Sequence, residues 1–439
     1  MGRPRLVGIV LLVTCATLAF ALSRQWRAAD VYAGSYAYAR VDNWLESAEC
    51  TRRCGAFLAT CEVCGAVTSI EETQGADDLG HTLLANVLAW GRTEPITRRT
   101  LTRLNLVLNA VGLLGVSAAL WLSGFRAVAV LAVFVGLEWG VPGPLPGPDT
   151  MAAFFAVYCL AWVPVLWVST LDLDRVTWRR GLAGGVVSVL ALTAAVLIRQ
   201  PIGLAGVASA LTLLAWRAAR RRPFSRRWIA ACAGLALLLC LPTQAARGLV
   251  ALRSRLSDVP PGRRLVEHGI SHNLYIGLGV YPNPWGIEWV DTNGRFAVAR
   301  VDPSSKYATP AYFRTLWRLY LDVVQRDPIG VAYVYLRKAG DTLAYGGLST
   351  KLFAVLVLLG SAWRWVPRNG RPWLRVLAGS TLLAFLVLLQ GVLAKPWWGF
   401  YYPAVFGVDI VLLGVVEVSW RTLFDRWRPV FPSGEVRVA

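Results

Sequence analysis

The chain has 439 residues, a formal net charge of +19, 56% hydrophobic residues, 16% charged residues and 20 tryptophans. Soluble domains carry about 25% charged residues, so these proportions exclude a disordered or collagen-like chain and argue against an ordinary soluble enzyme. Basicity of this size points to nucleic acid in a soluble protein. In a chain this apolar it is first a matter of membrane topology, because cytoplasmic loops collect arginine.

A helix needs about 20 apolar residues to cross a hydrocarbon core. Ten runs approach that length: Leu6–Leu22, Leu104–Gly124, Phe125–Trp139, Met151–Leu171, Gly181–Ile198, Ile202–Trp216, Trp228–Leu249, Leu352–Trp365, Leu374–Ala394 and Tyr402–Trp420. The predicted fold class is therefore an all-α polytopic membrane protein of about ten transmembrane helices, with two long extracytoplasmic loops carrying amphipathic helices. The third, sixth and eighth runs are short and need tilt or flanking residues. The first run, with Arg3 and Arg5 before it, reads as an uncleaved anchor. Ala19-Phe20-Ala21 also has the form of a signal-peptide cleavage site, but so many later spans favour the anchor.

The charges agree with an inside amino terminus. Arg126, Arg175, Arg179, Arg180, Arg217, Arg220, Arg221, Arg222, Arg226 and Arg227 then fall in cytoplasmic loops, as do Arg364, Arg368, Arg371, Arg375, Arg421, Arg426 and Arg428. The short outer loops hold little beyond Arg199 and Lys395. This is the positive-inside pattern, and it accounts for most of the charge without nucleic acid. The run Arg220–Arg222 reads as an anchor against anionic headgroups rather than an RNA site.

The expected organisation is a first anchor (1–22), a first extracytoplasmic loop (23–103), spans two to seven (104–250), a second extracytoplasmic segment (251–350), spans eight to ten (351–420) and a cytoplasmic tail (421–439). All three histidines, His81, His268 and His272, fall in the two outer segments. Loops of this length are usually functional or disordered, and these are too aromatic for disorder.

Four of eight cysteines, Cys50, Cys54, Cys61 and Cys64, lie within fifteen residues of the first loop. Tetrathiolate zinc is one reading. An oxidising compartment favours two disulfides instead, and a hairpin over Cys50–Gly65 makes nested Cys50–Cys64 and Cys54–Cys61 bonds the natural pairing; the other connectivities stay open. Farther along, Asp77-Asp78-Leu79-Gly80-His81 precedes apolar residues at helical spacing. Either aspartate can cap that helix. The pair can also bind a divalent cation or, with His81, act as general base toward a hydroxyl. Asp30, eight residues after the first span, is an earlier acid in the same position.

The second segment brings Arg263 and Arg264, then His268-Gly269-Ile270-Ser271-His272 and a stretch to Trp289 rich in Gly, Pro and aromatics. That stretch is expected to be a loop ordered by stacked rings, with its histidines hydrogen-bonding a polar substrate or loop backbone. Helices are predicted from Thr309-Pro310 and from Asp327-Pro328, a capping residue before a proline in each case. They are expected to lie on the membrane or on the bundle top as scaffold. The last outer turn, Lys395-Pro396-Trp397-Trp398-Gly399-Phe400-Tyr401, is either an aromatic belt with a snorkelling lysine or a phosphate-gripping cation beside stacking rings. Arg199 is a second outer cation.

With these residues in place, the layout resembles the GT-C superfamily of membrane glycosyltransferases, which take sugar from a polyprenyl-phosphate donor. The resemblance covers most of the chain and is architectural: an inside amino terminus, an acidic first outer loop, a multi-span bundle, a second outer segment, and a cation before a Tyr-x-x-Pro-like entry to the final span. Asp77-Asp78-Leu79-Gly80-His81 and Arg103-Leu104-Asn105-Leu106 resemble stretches in bacterial members. The usual Asp-Glu pair after the first span is replaced by lone Asp30, and the arginine before the last tyrosine-proline element by Lys395. The resemblance implies that Asp30, Asp77 or Asp78 serves as base or metal ligand, and that Lys395, Arg199 or Arg263 holds the donor phosphate. It further implies a multi-pass protein of the bacterial inner membrane, with both termini cytoplasmic. Its partners would be membrane lipid, a lipid-linked sugar donor and a glycan, lipid or protein acceptor, with no nucleic acid. No cofactor is fixed by the sequence; a divalent cation on Asp77 and Asp78 is the one candidate. A transporter or flippase of a lipid-linked substrate and a non-catalytic envelope assembly protein are the rival readings. Asp409 and Glu417 in the last run bear on the first of these, because coupled transport uses intramembrane acids.

Overall fold

The computed structural model describes residues 3–34, 39–62, 65–73, 79–139, 147–171, 178–220, 226–257, 259, 261–262, 269–362, 372–396 and 398–427. Asp77, Asp78, Cys64, Arg263, Arg264, His268, Trp397, Arg221 and Arg222 lie outside the described residues, as do the side chains of Asp30, Trp398 and Tyr401. The chain is helical nearly throughout. In order come α1 (Arg3–Gly34), α2 (Ala39–Cys54), a hairpin of β1 (Ala59–Cys61) and β2 (Val67–Ser69), α3 (Leu79–Ala89), α4 (Arg98–Leu122), α5 (Arg126–Trp139) and α6 (Phe154–Thr170). There follow α7 (Trp178–Ile198), α8 (Gln200–Arg220), α9 (Arg226–Cys240), α10 (Ala245–Leu256), α11 (Ile270–Gly277) and α12 (Asp291–Val301). The chain closes with α13 (Pro310–Arg326), α14 (Pro328–Tyr345), α15 (Gly347–Ala362), α16 (Pro372–Leu393) and α17 (Trp398–Trp427).

Helices cover most of each apolar run. Among the described residues six are long and apolar enough to cross a membrane, against about ten expected: Arg98–Leu122, Met151–Thr170, Gln200–Ala219, Ile229–Leu256, Leu374–Leu393 and Tyr402–Arg421. Arg126–Leu137 and Ala183–Ile198 are apolar but shorter. A helix suits lipid because it satisfies its own backbone groups where no water can. The packing has the matching pattern. α6 is the central helix, buried along almost its whole length from Phe154 to Ser169, with α4, α7, α8 and α16 against it. Small residues let these backbones close up: a Cβ on Gly112 of α4 would stand 2.9 Å from the Ala156 Cα, and one on Gly206 of α8 2.9 Å from the Ala161 Cβ. The outward faces carry exposed Val107, Val111, Leu114, Val186, Val187 and Leu190. Large exposed aliphatics around a buried apolar core are what a hydrocarbon solvent permits and water does not.

The longer connections gather at one end of the bundle, as a cap in two parts. The first part holds α2, the β1–β2 hairpin and α3. Its antiparallel hairpin pairs Ala59 with Ser69 and Cys61 with Val67. Ile70, Leu58 and Leu79 pack with Ala246, Leu249 and Val250 of α10. A buried ion pair ties the two together: the Arg253 guanidinium donates to both carboxylate oxygens of Glu71 and to the Leu58 carbonyl. The second part is α11 to α14, around Tyr275, Ile276, Leu278, Tyr312 and Leu316. The opposite end is plainer: Arg217 donates to the Val168 and Leu171 carbonyls at the foot of α6, and Arg421 to Glu417 and the Gly124 carbonyl.

Three expectations change. The first helix does not stop at Leu22 but runs to Gly34, so Asp30 belongs to a helix rather than a loop. The stretch after Gly269 is not wholly irregular: Ile270–Gly277 is α11, continued by a 3-10 turn at Leu278–Val280. Its glycines are there for approach rather than for turning. A Cβ on Gly277 would lie 3.0 Å from two carbonyl oxygens of the α16 end, and one on Gly279 2.5 Å from the Glu288 backbone. Packing of this kind overrides weak helix propensity. Finally, Cys50 lies at disulfide distance from Cys61, with Cα atoms 5.5 Å apart, in place of the nested pairing. Cys50 and Cys54 sit one turn apart on α2, and the hairpin turns back only after Cys61, which is therefore the strand residue facing Cys50. Cys54 Sγ stands 3.5 Å from Cys61 Sγ.

Candidate functional site

Polar side chains collect where the cap meets the bundle. The first cluster is built on α3. Gly80 allows it: any Cβ there would come within 2.8–2.9 Å of the Leu197–Ile198 backbone at the end of α7. His81 is thereby fully buried, stacked on Trp44 of α2 at 4.9 Å between ring centroids. Its Nε2 is 2.9 Å from Asn105 Oδ1 on α4. The Asn105 amide nitrogen donates to the Gly147 and Asp149 carbonyls at 2.9 and 3.0 Å. With its nitrogen so occupied, the amide oxygen must accept, so His81 Nε2 carries the proton.

One turn along α4, Asn109 donates to the Ala152 carbonyl at 2.7 Å and accepts from the Ala156 N–H at 3.0 Å. The Tyr402 hydroxyl, from the start of α17, donates to the Met151 carbonyl at 2.9 Å and accepts from the Phe155 N–H. Three side chains from two helices thus hold the turn that starts α6, satisfying groups that a helix start leaves open. Asp149 is buried in that turn. Arg199, in the α7–α8 turn, lays its guanidinium over the Phe154 ring at 4.9 Å. His81 and Arg199 each follow a residue of the Gly80–Ile198 backbone approach, with His81 turned to Trp44 and Asn105 and Arg199 to Phe154.

The second cluster belongs to α11–α14. His272, buried in the first turn of α11, has Nδ1 2.8 Å from the Tyr312 hydroxyl and Nε2 3.1 Å from Asp291 Oδ1 at the start of α12. Burial pushes the Tyr312 hydroxyl up from its usual range, so it stays a neutral partner. The Arg295 guanidinium covers Tyr307, which meets Tyr312 edge to face. His272 thus bonds two side chains, Tyr312 and Asp291, in place of the expected substrate or loop backbone. Lys395 is half-buried, its Nζ over the Trp289 ring at 5.8 Å. In the same part of the cap, Tyr281 donates to Asp341 while the Arg337 guanidinium covers the Tyr281 ring at 4.1 Å. Burial, then the bond to Asp341, raises the Tyr281 hydroxyl.

The two clusters join through α16. Gln390 donates to the Pro201 carbonyl, two residues from Arg199, at 2.7 Å. Its own carbonyl accepts from the Ala394 N–H, next to Lys395. Through Gln390 the turn that carries Arg199 and the turn that carries Lys395 lie at the same end of the bundle. Among the described residues the one three-ligand group within metal-binding reach is Cys50, Cys54 and Cys61. Glu417 accepts from the Val128 N–H at the start of α5 and from Arg421.

Several residues here escaped the sequence reading. Asn105 and Asn109, four apart in an apolar run, are a legible signal, since polar groups at that spacing share a helix face. Asp149 follows a proline-rich turn and looks like surface. Trp289, Asp291 and Tyr312 carry no pattern that separates them from other aromatics and acids of the segment. Lys338 looks like one solvated charge on a scaffold helix and is instead fully buried. No family model, curated protein or solved structure matches this chain.

Proposed function

We propose that this chain is a membrane glycosyltransferase-like protein that transfers a sugar from a polyprenyl-phosphate donor to an envelope acceptor, at the capped end of the bundle. In this reading that end is the outer face of a bacterial inner membrane. The observation that carries the proposal is that Arg199, over Phe154, and Lys395, over Trp289, sit in two turns that Gln390 joins at one end of an apolar bundle. A lipid phosphate arrives at that depth with its chain in hydrocarbon and its headgroup at the rim. Transfer needs a base for the acceptor hydroxyl and positive charge where the phosphate leaves. Lys395 over Trp289, with Arg199, is suited to the second role, and Trp289 offers a face for a sugar ring. Asp78 or Asp30 is assigned the first; the buried Asp149 meets the His81 cluster through its main-chain carbonyl, which accepts from Asn105. For a coupled transporter the acids of the last run would be the relay, and of these Glu417 is engaged by the Val128 N–H and Arg421.

The test is transfer by the purified full chain in lipid vesicles, with radiolabelled undecaprenyl-phosphate sugars and a membrane extract as acceptor. The wild type is expected to label the extract. Asp78→Asn or Asp30→Asn should lower the rate by about 10²–10⁴-fold, the usual weight of a general base. Full activity in both variants, together with full activity of Lys395→Gln, would refute the assignment.

A further inference from the structure

Lys338 is fully buried, although lysine is almost never found so unless paired. Among the described residues its amine meets no carboxylate. It donates instead to two main-chain carbonyls of the α16 end, Ala394 O at 2.8 Å and Leu393 O at 3.4 Å, and lies over the Tyr335 ring at 5.0 Å. The last carbonyls of a helix have no partners within it and carry the negative end of its dipole, so a cation there is well placed. Its stem comes from a different helix, α14. Gly277, the last residue of α11, closes over the same point: a Cβ there would stand 3.0 Å from both carbonyl oxygens and 3.1 Å from Lys338 Nζ. Three helices thus meet on one amine, and the residue that follows its two acceptors is Lys395.

We infer that Lys338 is a positioning residue, clamping the end of α16 against α11 and so holding Lys395 over Trp289. This rests on the reading above that Lys395 grips a phosphate, and supplies what that grip requires, since a lysine on a loose turn would lose rotamer freedom on every encounter. The junction also explains an expense that nothing else in the fold repays: a leucine at position 338 would pack against Tyr335 without desolvating an amine, but would leave the Leu393 and Ala394 carbonyls open.

The chain has only four lysines, Lys306, Lys338, Lys351 and Lys395, so its own amines report on the clamp. The full chain in nanodiscs is treated with a membrane-impermeant acetylating reagent, and the rate at Lys395 is read by peptide mass spectrometry against exposed Lys306. Lys338→Met is expected to raise the Lys395:Lys306 ratio at least threefold, and Lys338→Arg to keep it near the wild-type value. Gly277→Ala, which crowds the same junction while leaving the amine, is expected to raise it too. An unchanged ratio in both Lys338→Met and Gly277→Ala overturns the inference. A general loss of folding is recognised by a matching rise at half-buried sites elsewhere and no rescue by arginine, and overturns it as well. Undecaprenyl phosphate added to the wild type tests the parent reading separately, by protection of Lys395. Without protection but with the variant effect, the clamp stands and the phosphate assignment falls; with protection but no variant effect, the reverse holds.

Discussion

Arg253 and Glu71 are each 2% exposed at the side chain, and their ion pair joins α10 to the first part of the cap. Removing one partner leaves the other charge buried, so Glu71→Gln or Arg253→Met is expected to lower stability by about 3–5 kcal/mol in denaturant unfolding, and the double variant by less than the sum. Lys338 is the opposite case, a buried amine with carbonyls for company. Burial lowers its amine from the ordinary value to about 7. Between about 7 and 10.5 the unfolded chain therefore binds more protons than the folded one, and stability from this group rises with pH across that window. The Tm of Lys338→Met minus that of the wild type is accordingly expected to fall as pH goes from 7 to 10. A difference that stays level would mean that the amine is not desolvated. Neither residue announced itself in the sequence, where an arginine or a lysine on an amphipathic helix reads as solvated.

At the scale of elements, legibility followed locality. The apolar runs, the Thr309-Pro310 start of α13 and the Asp327-Pro328 start of α14 depend on neighbours in sequence: the runs are largely helical, with six helices of spanning length among the described residues against ten expected, and Thr309 accepts from the Tyr312 N–H and Asp327 from the Gly330 N–H. α11 and the Cys50–Cys61 pairing depend on what packs against them, and the sequence pattern pointed elsewhere for both. The docking of α3 is of the same distant kind, set by Gly80 against the α7 backbone. Gly80→Ala is expected to cost about 1–3 kcal/mol, the range for overpacking. Gly115→Ala on α4, where a Cβ meets nothing within 4 Å, should cost nothing, and a thermal shift assay on the pair separates crowding from helix propensity.

At the scale of the whole molecule, the polar chemistry is sorted to one end of a bundle whose flanks are aliphatic. The candidate site was legible in kind, as acids, histidines and rings in two long segments and as Arg199 and Lys395 in short turns. Its joints were not, because Asn105, Gln390 and Lys338 act through carbonyls hundreds of ångström-scale choices of packing bring near. Orientation in the membrane decides whether that end can meet an envelope acceptor. The most direct test is therefore side-specific acetylation of Lys306, the exposed amine of the cap, with an impermeant reagent in sealed vesicles of known polarity. The account predicts labelling in right-side-out vesicles and protection in inverted ones. Labelling confined to inverted vesicles would put the cap in the cytoplasm and contradict transfer at the outer face.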